Sequence, residues 1–363
     1  MRWAMAWSRI VGHEAVVERL RQALERGRLP HACLFVGPDG IGKELCALEL
    51  AKAAQCPNGR QDACDRCPTC QQVEHGNHPD VAFIRRADGT GRGERRAAIG
   101  IDQVRDGIQD PIALKPFGGR YKVFVVAEAE RMTEEAQNCL LKTLEEPPPH
   151  SLLILLACRL EPFVDTVVSR CQIVRFRPLT AAQVERLLVA GHGVEAGLAG
   201  ALARVAEGSP GRALRYQAGG AYDAARWLLD QLAGMPPGAE FAIAAELLDK
   251  ARGGGGGAQE DAREWLRPVL DLLGLAWRDL YVRAAGHSEA LLTWGASSEA
   301  LDRLAERVSA ATARRLAALV VEARDGLEAN ANVKLLLEAM LLETGALLGA
   351  CAAAPREPVA AVR

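Results

Sequence analysis

Four cysteines, Cys56, Cys64, Cys67 and Cys70, fall within fifteen residues as C-x7-C-x2-C-x2-C. A tetrahedral thiolate cage needs four sulfurs at about 2.3 Å from a zinc ion, and C-x2-C turns deliver such ligands in pairs on a tight knuckle. The intervening stretch, PNGRQDACDRCPT, is polar and has nothing with which to build a core of its own. The plain alternative is a cluster of free thiols on a loop, an oxidation hazard that a metal removes. A structural zinc on these four residues is therefore expected. His75 and His78 lie near enough in sequence to act as substitute ligands, but a four-cysteine site does not require them.

A second stretch, GPDGIGKELC at residues 37–46, offers phosphate chemistry. Gly37, Gly40, Gly42 and Lys43 fit the G-x-x-x-x-G-K pattern, in which backbone N–H groups and a helix N-terminus cradle phosphates. The next position holds the hydroxyl that binds magnesium in that pattern, and here it is Glu44. A carboxylate about 4 Å from another negative charge is repelled by roughly 4 kcal/mol at an effective dielectric near 20. The loop is thus degenerate: nucleotide binding is left open and hydrolysis is not expected. A glycine-rich turn without a ligand is the plain alternative.

Two further positions point the same way. The strand VFVVAE ends in Ala127 and Glu128, so the metal-side aspartate of an acidic pair is missing. The strand LLILLACR ends in Cys158, a weak donor where a polar contact to the γ-phosphate belongs. By contrast EPFVDTVVSRC puts Ser169, Arg170 and Cys171 at a helix end before a strand. Arg170 is then either a dipole partner, worth about 0.3–1 kcal/mol, or an arginine finger that reaches a neighbouring subunit's nucleotide.

These groups need a scaffold, and the apolar pattern supplies one. Ala32–Val36 reads as a buried strand running into the glycine loop and then a helix, the context that a phosphate loop requires. Residues 121–127 and 151–157 are continuous apolar runs, as in parallel strands covered on both faces, and CQIVRFRPL supplies a last strand. Between the two central runs, TEEAQNCLLKTLEE has helical periodicity and stops at Pro147–Pro149. Beyond residue 180 the chain reads as amphipathic helices, interrupted by the glycine run 253–257. The expected division is an α/β module over 1–178, a helical module over 179–250, a helical C-terminal module over 258–350, and a tail over 351–363.

Composition sets outer bounds. The chain has 363 residues, 49% hydrophobic and 25% charged, with a net charge of −2. That balance gives no global sign of a nucleic-acid binder. The longest apolar runs are too short to cross a bilayer, and the first residues lack the apolar core of a secretion signal. A cytoplasmic protein with reduced cysteines is the expectation.

Taken together, IVGHEAVVERL, LPHACLFVGPDGIGK, the cysteine knuckle followed by HPD, IDQVRD, YKVFVVAEAERMTEEAQNCLLKTLEEPP, SRCQIVRFRPL, GSPGRAL and NANVKLLLEAMLL resemble a known family. They are similar to the delta-prime branch of the clamp-loader AAA+ family of bacterial DNA polymerase III, relatives of the gamma/tau motor subunits. The resemblance covers most of residues 7–345 in order, and LLKTLEEPP with SRC in register is its most specific part. It implies a P-loop (AAA+) α/β domain with a parallel sheet, followed by an all-α lid and an all-α collar that joins a five-subunit ring. It further implies a non-hydrolysing subunit that lends Arg170 to an adjoining motor. The implied partners are gamma/tau and delta subunits and, through the complex, the β sliding clamp and primed DNA. A second nucleotide-sensing arginine of motor lids has Gly211 in its register here, with Arg212 one place later. The basic stretch 85–96 and the glycine insert 253–257 lie outside the family pattern. The alternatives are an active gamma-type ATPase, opposed by Glu44, Ala127 and Cys158, and a stand-alone zinc-containing DNA-binding protein.

Overall fold

A computed structural model describes residues 6–59, 61–86, 98–118, 120–253, 259–288, 291–294 and 298–353. The basic stretch from residue 87, the glycine insert beyond Gly253 and the tail beyond residue 353 lie outside the described residues. The chain divides into two compact units, one of residues 1–183 with 209–211 and one of residues 184–208 with 212–363.

The first unit is built on a five-stranded parallel sheet. Its strands are β1 (Ala32–Val36), β2 (Val81–Ile84), β3 (Lys122–Val126), β4 (Ser151–Ala157) and β5 (Gln172–Arg175), in the order β2-β3-β4-β1-β5. Register sets Leu34 beside Leu155 and Ile173, and Phe124 beside Leu153. β1, β3 and β4 are buried along their whole length, as continuous apolar runs require when helices cover both faces. The sequence reading found four of these strands. β2 escaped it because VAFI is only four residues long, lies at the sheet edge and is half-covered.

Helices α1 (Glu14–Glu25), α2 (Lys43–Gln55) and α3 (Pro68–Glu74) precede β2. A broken helix follows it, α4 (Ile101–Val104) passing through a π turn at Arg105–Gln109 into α5 (Asp110–Ile112). α6 (Glu134–Glu145) begins at Thr133, whose side chain accepts the Ala136 N–H at 3.2 Å, and lays Leu140 and Leu144 on the sheet. The short α7 (Asp165–Val168) leads into β5. One face of the sheet closes over Leu34, Val36, Phe124, Val126, Leu153 and Leu155, with Ile108 and Leu140 above them.

The second unit is helical. It holds most of α8 (Ala181–His192), α9 (Ala196–Val205), and most of α10 (Pro210–Gln217). α11 (Ala221–Ala233), α12 (Glu240–Gly253), α13 (Gln259–Ala284), α14 (Glu299–Ala305), α15 (Ala310–Glu328) and α16 (Val333–Ala353) follow. α13 packs on α15 and α11, and α12 packs on α16. α13 buries Leu266, Val269, Leu273 and Trp277 at helical spacing, and α15, which packs on it, buries Leu316 and Val320. Asp279, also buried, accepts the Thr293 and Trp294 N–H groups at 2.9 and 2.8 Å and so fixes the turn that follows α13. Among the described residues no helix is long and apolar enough to cross a membrane.

Candidate functional site

The cysteine knuckle forms as a unit. The sulfurs of Cys56, Cys64, Cys67 and Cys70 all lie within 4.8 Å of one another. A zinc ion with four sulfurs at 2.3 Å places them about 3.8 Å apart, so a small contraction would seat the metal. Cys56, Cys67 and Cys70 are buried and Cys64 is partly covered. Cys67 caps α3, its sulfur accepting the Cys70 N–H at 3.4 Å. Burial pushes the Cys64 thiol up, but N–H groups of Arg66 and Cys67 outweigh it and hold the pKa at about 6. An all-sulfur donor set of this shape suits zinc. Neither histidine joins it: His75 is exposed, and His78 is buried with Nδ1 accepting the Asp80 N–H at 3.1 Å.

Behind the knuckle sits a partly buried ionic cluster that sequence reasoning missed. Lys52 Nζ reaches Glu49, Asp65 and Glu74 at 2.9, 2.7 and 2.8 Å, and Arg9 reaches Glu49 and Glu74 at 2.8 and 3.0 Å. Burial disfavours the charge on Lys52, yet three carboxylates outweigh it and raise its pKa. Glu49 has no exposed side-chain surface, and burial lifts its pKa to about 7 against the pull of Lys52. Asp65 lies inside the knuckle and Glu74 ends α3, so the cluster fastens the cysteine insertion to α2. These residues are spread over sixty-six positions, Arg9 to Glu74, and no local pattern joins them.

The loop 37–42 joins β1 to α2, as the motif demands. Gly42 caps α2 at φ 99°, a left-handed backbone that favours glycine. Lys43 is buried and turns onto the loop, donating to the Gly37 and Pro38 carbonyls at 2.5 and 2.6 Å. Burial lowers its pKa. His13 fixes the loop from below through the Ile41 carbonyl at 2.9 Å. The loop's outer side meets residues 209–211: Ser209 Oγ donates to Asp39 O at 2.7 Å and Gly211 N to Gly40 O at 2.9 Å. A Cβ on residue 211 would lie 2.8 Å from Gly40 Cα, so the contact requires glycine there. The guanidinium of Arg212 is engaged by Glu207 at 2.9 Å.

Around the loop, charge is paired within the chain. Glu44 forms an ion pair with Arg85, and Glu128, held at φ 49°, pairs with Arg86 at 2.8 Å. Both arginines follow β2, the edge strand, and bring positive charge to the two acidic positions. Ala127 offers no ligand; its N–H pairs with Ile84 O at 2.9 Å. Cys158 follows β4; the residue is exposed, but partial covering of its thiol together with the Glu130 carboxylate pushes it up to about 11. Among the described residues, the arrangement is a phosphate-type loop with no side chain placed to hold a magnesium ion in the motif's manner.

Arg170 lies just past α7 and is half-covered. Its Nη1 donates to Thr166 O at 3.0 Å, and its Nη2 pairs with Glu145 at 2.9 Å. Gln137, buried in α6, positions this segment by donating to Pro162 O at 3.0 Å and accepting the Val164 N–H at 2.9 Å. The guanidinium therefore sits at the surface on a braced stem.

One surface carried no signal in the sequence reading. The buried carboxylate of Asp80 accepts the Phe117 and Gly118 N–H groups at 2.8 and 3.1 Å, and Gln55 accepts the Arg120 N–H at 3.1 Å. This pinned turn presents Phe117 at 88% exposure and Leu114 at 65%. Beside them lies an open, mainly apolar groove of about 810 Å³ lined by Leu114, Pro116, Tyr121, Pro148 and Pro149.

Comparison with known proteins agrees with this geometry. Residues 12–180 match the family described as DNA polymerase III, delta subunit. DNA polymerase III subunit delta' of Bacillus subtilis is 34% identical over 174 residues, 48% of this chain and 50% of the relative. Subunit tau of the same organism is 35% identical over 176 residues, 48% of this chain and 30% of the relative. The chain thus spans half or less of the length of these curated relatives. A gamma-subunit-related protein of Thermotoga maritima shares the fold, with a TM-score of 0.52 at 18% identity over 92% of this chain and 99% of that one. The resemblance to clamp-loader subunits and the AAA+ fold are both borne out.

Proposed function

We propose, on the premise that residues 12–180 match the clamp-loader subunits of DNA polymerase III, that this chain is a clamp-loader subunit of delta-prime type. Identity does not separate that reading from a motor subunit, because the delta' and tau relatives stand at 34% and 35%. The nucleotide site carries the distinction. A motor needs a magnesium ligand after its loop lysine, an acidic pair after β3 and a polar contact after β4. This chain has Glu44 tied to Arg85, Ala127 beside a Glu128 tied to Arg86, and Cys158. The subunit therefore does not turn over ATP and serves as a fixed member of the assembly.

In that assembly it works beside gamma/tau and delta subunits, in the cytoplasm, to place the β sliding clamp on primed DNA. Arg170, braced at the surface, acts in trans on a neighbouring motor's nucleotide. The apolar turn of Leu114 and Phe117 supplies one of the protein contacts. Residues 179–250 act as a lid and 258–350 as a collar. Zinc on Cys56, Cys64, Cys67 and Cys70 is structural: it closes an insertion that has too little apolar surface to fold unaided.

The test is reconstitution. Mixing the purified chain with the gamma/tau and delta subunits of its own organism yields a defined hetero-oligomer that loads a clamp, while the isolated chain leaves ATP intact. A chain that fails to enter the complex, or that alone hydrolyses ATP at about 1 s⁻¹, an ordinary enzymatic rate, refutes the proposal.

A further inference from the structure

We infer that Glu130 is the specificity-determining residue that keeps nucleoside triphosphates out of the loop 37–43; the inference rests on the non-hydrolysing reading above and names what enforces it. Glu130 lies in the 3-10 turn Ala129–Arg131, separated from β3 by two residues. One carboxylate oxygen accepts the Cys158 N–H at 3.2 Å, at the end of β4. The other is shut away from solvent with no hydrogen-bond partner. Among the described residues, Arg85 and Arg86, which bring positive charge to this side of the loop, are committed to Glu44 and Glu128. Lys43 and Asp39 are the other charged groups close enough to act on the Cys158 thiol, together with Glu130. Lys43 spends two of its three ammonium protons on the Gly37 and Pro38 carbonyls.

The consequence for a ligand follows from placement. A triphosphate seated on the loop must direct its terminal phosphate toward Lys43 and the end of β4. There it meets a carboxylate that already holds the Cys158 N–H, with a second, unpaired oxygen behind it. Like charges repel, and the repulsion rises with each added phosphate. Glu44 and Glu128 oppose phosphate far less, since each carries its own guanidinium. Glu130 thus acts as an internal occupant of the terminal-phosphate position and discriminates by charge, not by size.

Equilibrium dialysis of the full chain with radiolabelled ATP, ADP and adenosine, with and without magnesium, tests this. Glu130→Gln keeps the shape and removes the charge; Glu130→Ala removes both; Glu130→Asp keeps the charge. ATP affinity is expected to rise about ten- to a hundredfold in the Gln and Ala variants. ADP gains less, adenosine is unchanged, and Glu130→Asp stays at the wild-type level. A charge-free variant that binds ATP no better than wild type overturns the inference. So does an adenosine gain equal to that of ATP, which marks a merely structural role. Wild-type chain that both binds and turns over ATP instead refutes the non-hydrolysing reading, so the two failures are told apart.

Discussion

Replacing Arg170 by alanine should separate what holds this subunit together from what it does. The pair with Glu145 has side chains 35% and 52% exposed, and the other bonds of Arg170 run to Thr166 O and Ser169 Oγ on the same short segment. An exposed pair of this kind is worth about 0–1 kcal/mol after screening. The brace for this segment, Gln137 to Pro162 and Val164, remains untouched. The Arg170→Ala chain should therefore melt within a few degrees of wild type and enter the complex normally. Its effect on chemistry is far larger. A trans-acting arginine contributes about 10³–10⁵ in rate at the site it serves, roughly 4–7 kcal/mol of barrier. Arg170→Lys should recover little, because an ammonium lacks the planar fork that spans a transferring phosphoryl group. Glu145→Gln is the control: it breaks the intrachain pair, leaves the guanidinium, and should keep turnover at or above wild type. The assay is clamp- and DNA-stimulated ATP turnover, with clamp loading, in reconstituted complexes that differ only at these positions. Full turnover and loading with Arg170→Ala would reduce the residue to a helix-end ornament and sink the reasoning.

Other outcomes follow from the same geometry. Reduced wild type should retain about one zinc per chain through dialysis, and Cys64→Ser should lose it and loosen residues 56–80 with the sheet intact; metal at buffer level in the wild type removes the zinc assignment. Lys52→Met removes the cation shared by three carboxylates, of which Glu49 and Glu74 keep Arg9, and should cost about 1.5–3 kcal/mol in urea unfolding; a loss under about 0.5 kcal/mol would show the cluster to be slack. Because burial raises Glu49 from 4.5 to about 7, its contribution to stability is full below the unfolded value and fades as pH climbs through the folded one. Unfolding free energy should thus fall between those two pH values in the wild type and stay flatter in Glu49→Gln, and parallel profiles would reject this origin. Glu44→Thr combined with Ala127→Asp should still turn over ATP poorly, since Cys158 and Glu130 remain; a rate near about 1 s⁻¹ in that variant would show the metal contacts to be the whole defect.

Much of this architecture is written in neighbouring residues. The runs at 32–36, 121–127 and 151–157 became β1, β3 and β4 with ends shifted by at most a residue, because a strand covered on both faces must be apolar throughout. The glycine loop opens α2 and the proline run follows α6, since both signals act through local backbone geometry. The cysteine spacing brought four sulfurs together for the same reason: the last three cysteines lie within seven residues, on one knuckle. β2 was hidden because a four-residue edge strand has neither the length nor the full burial that makes an apolar run conspicuous.

What the sequence by itself determined was therefore the α/β class, the glycine loop with Glu44, Ala127 and Cys158 in its chain, and the grouping of four cysteines. Only the tertiary structure decided which charges meet. Arg85 and Arg86 reach Glu44 and Glu128 because they leave the sheet at the end of β2, beside β3. Lys52 collects carboxylates from α2, the knuckle and α3, and Glu130 reaches across to the N–H that ends β4. Asp80 likewise exposes Phe117 by bonding a turn thirty-seven residues away. Local order needs only the next few side chains, whereas an ion pair or a buried acceptor needs a partner brought through space by the packing of strands and helices. The residues that tune this site are of the second kind.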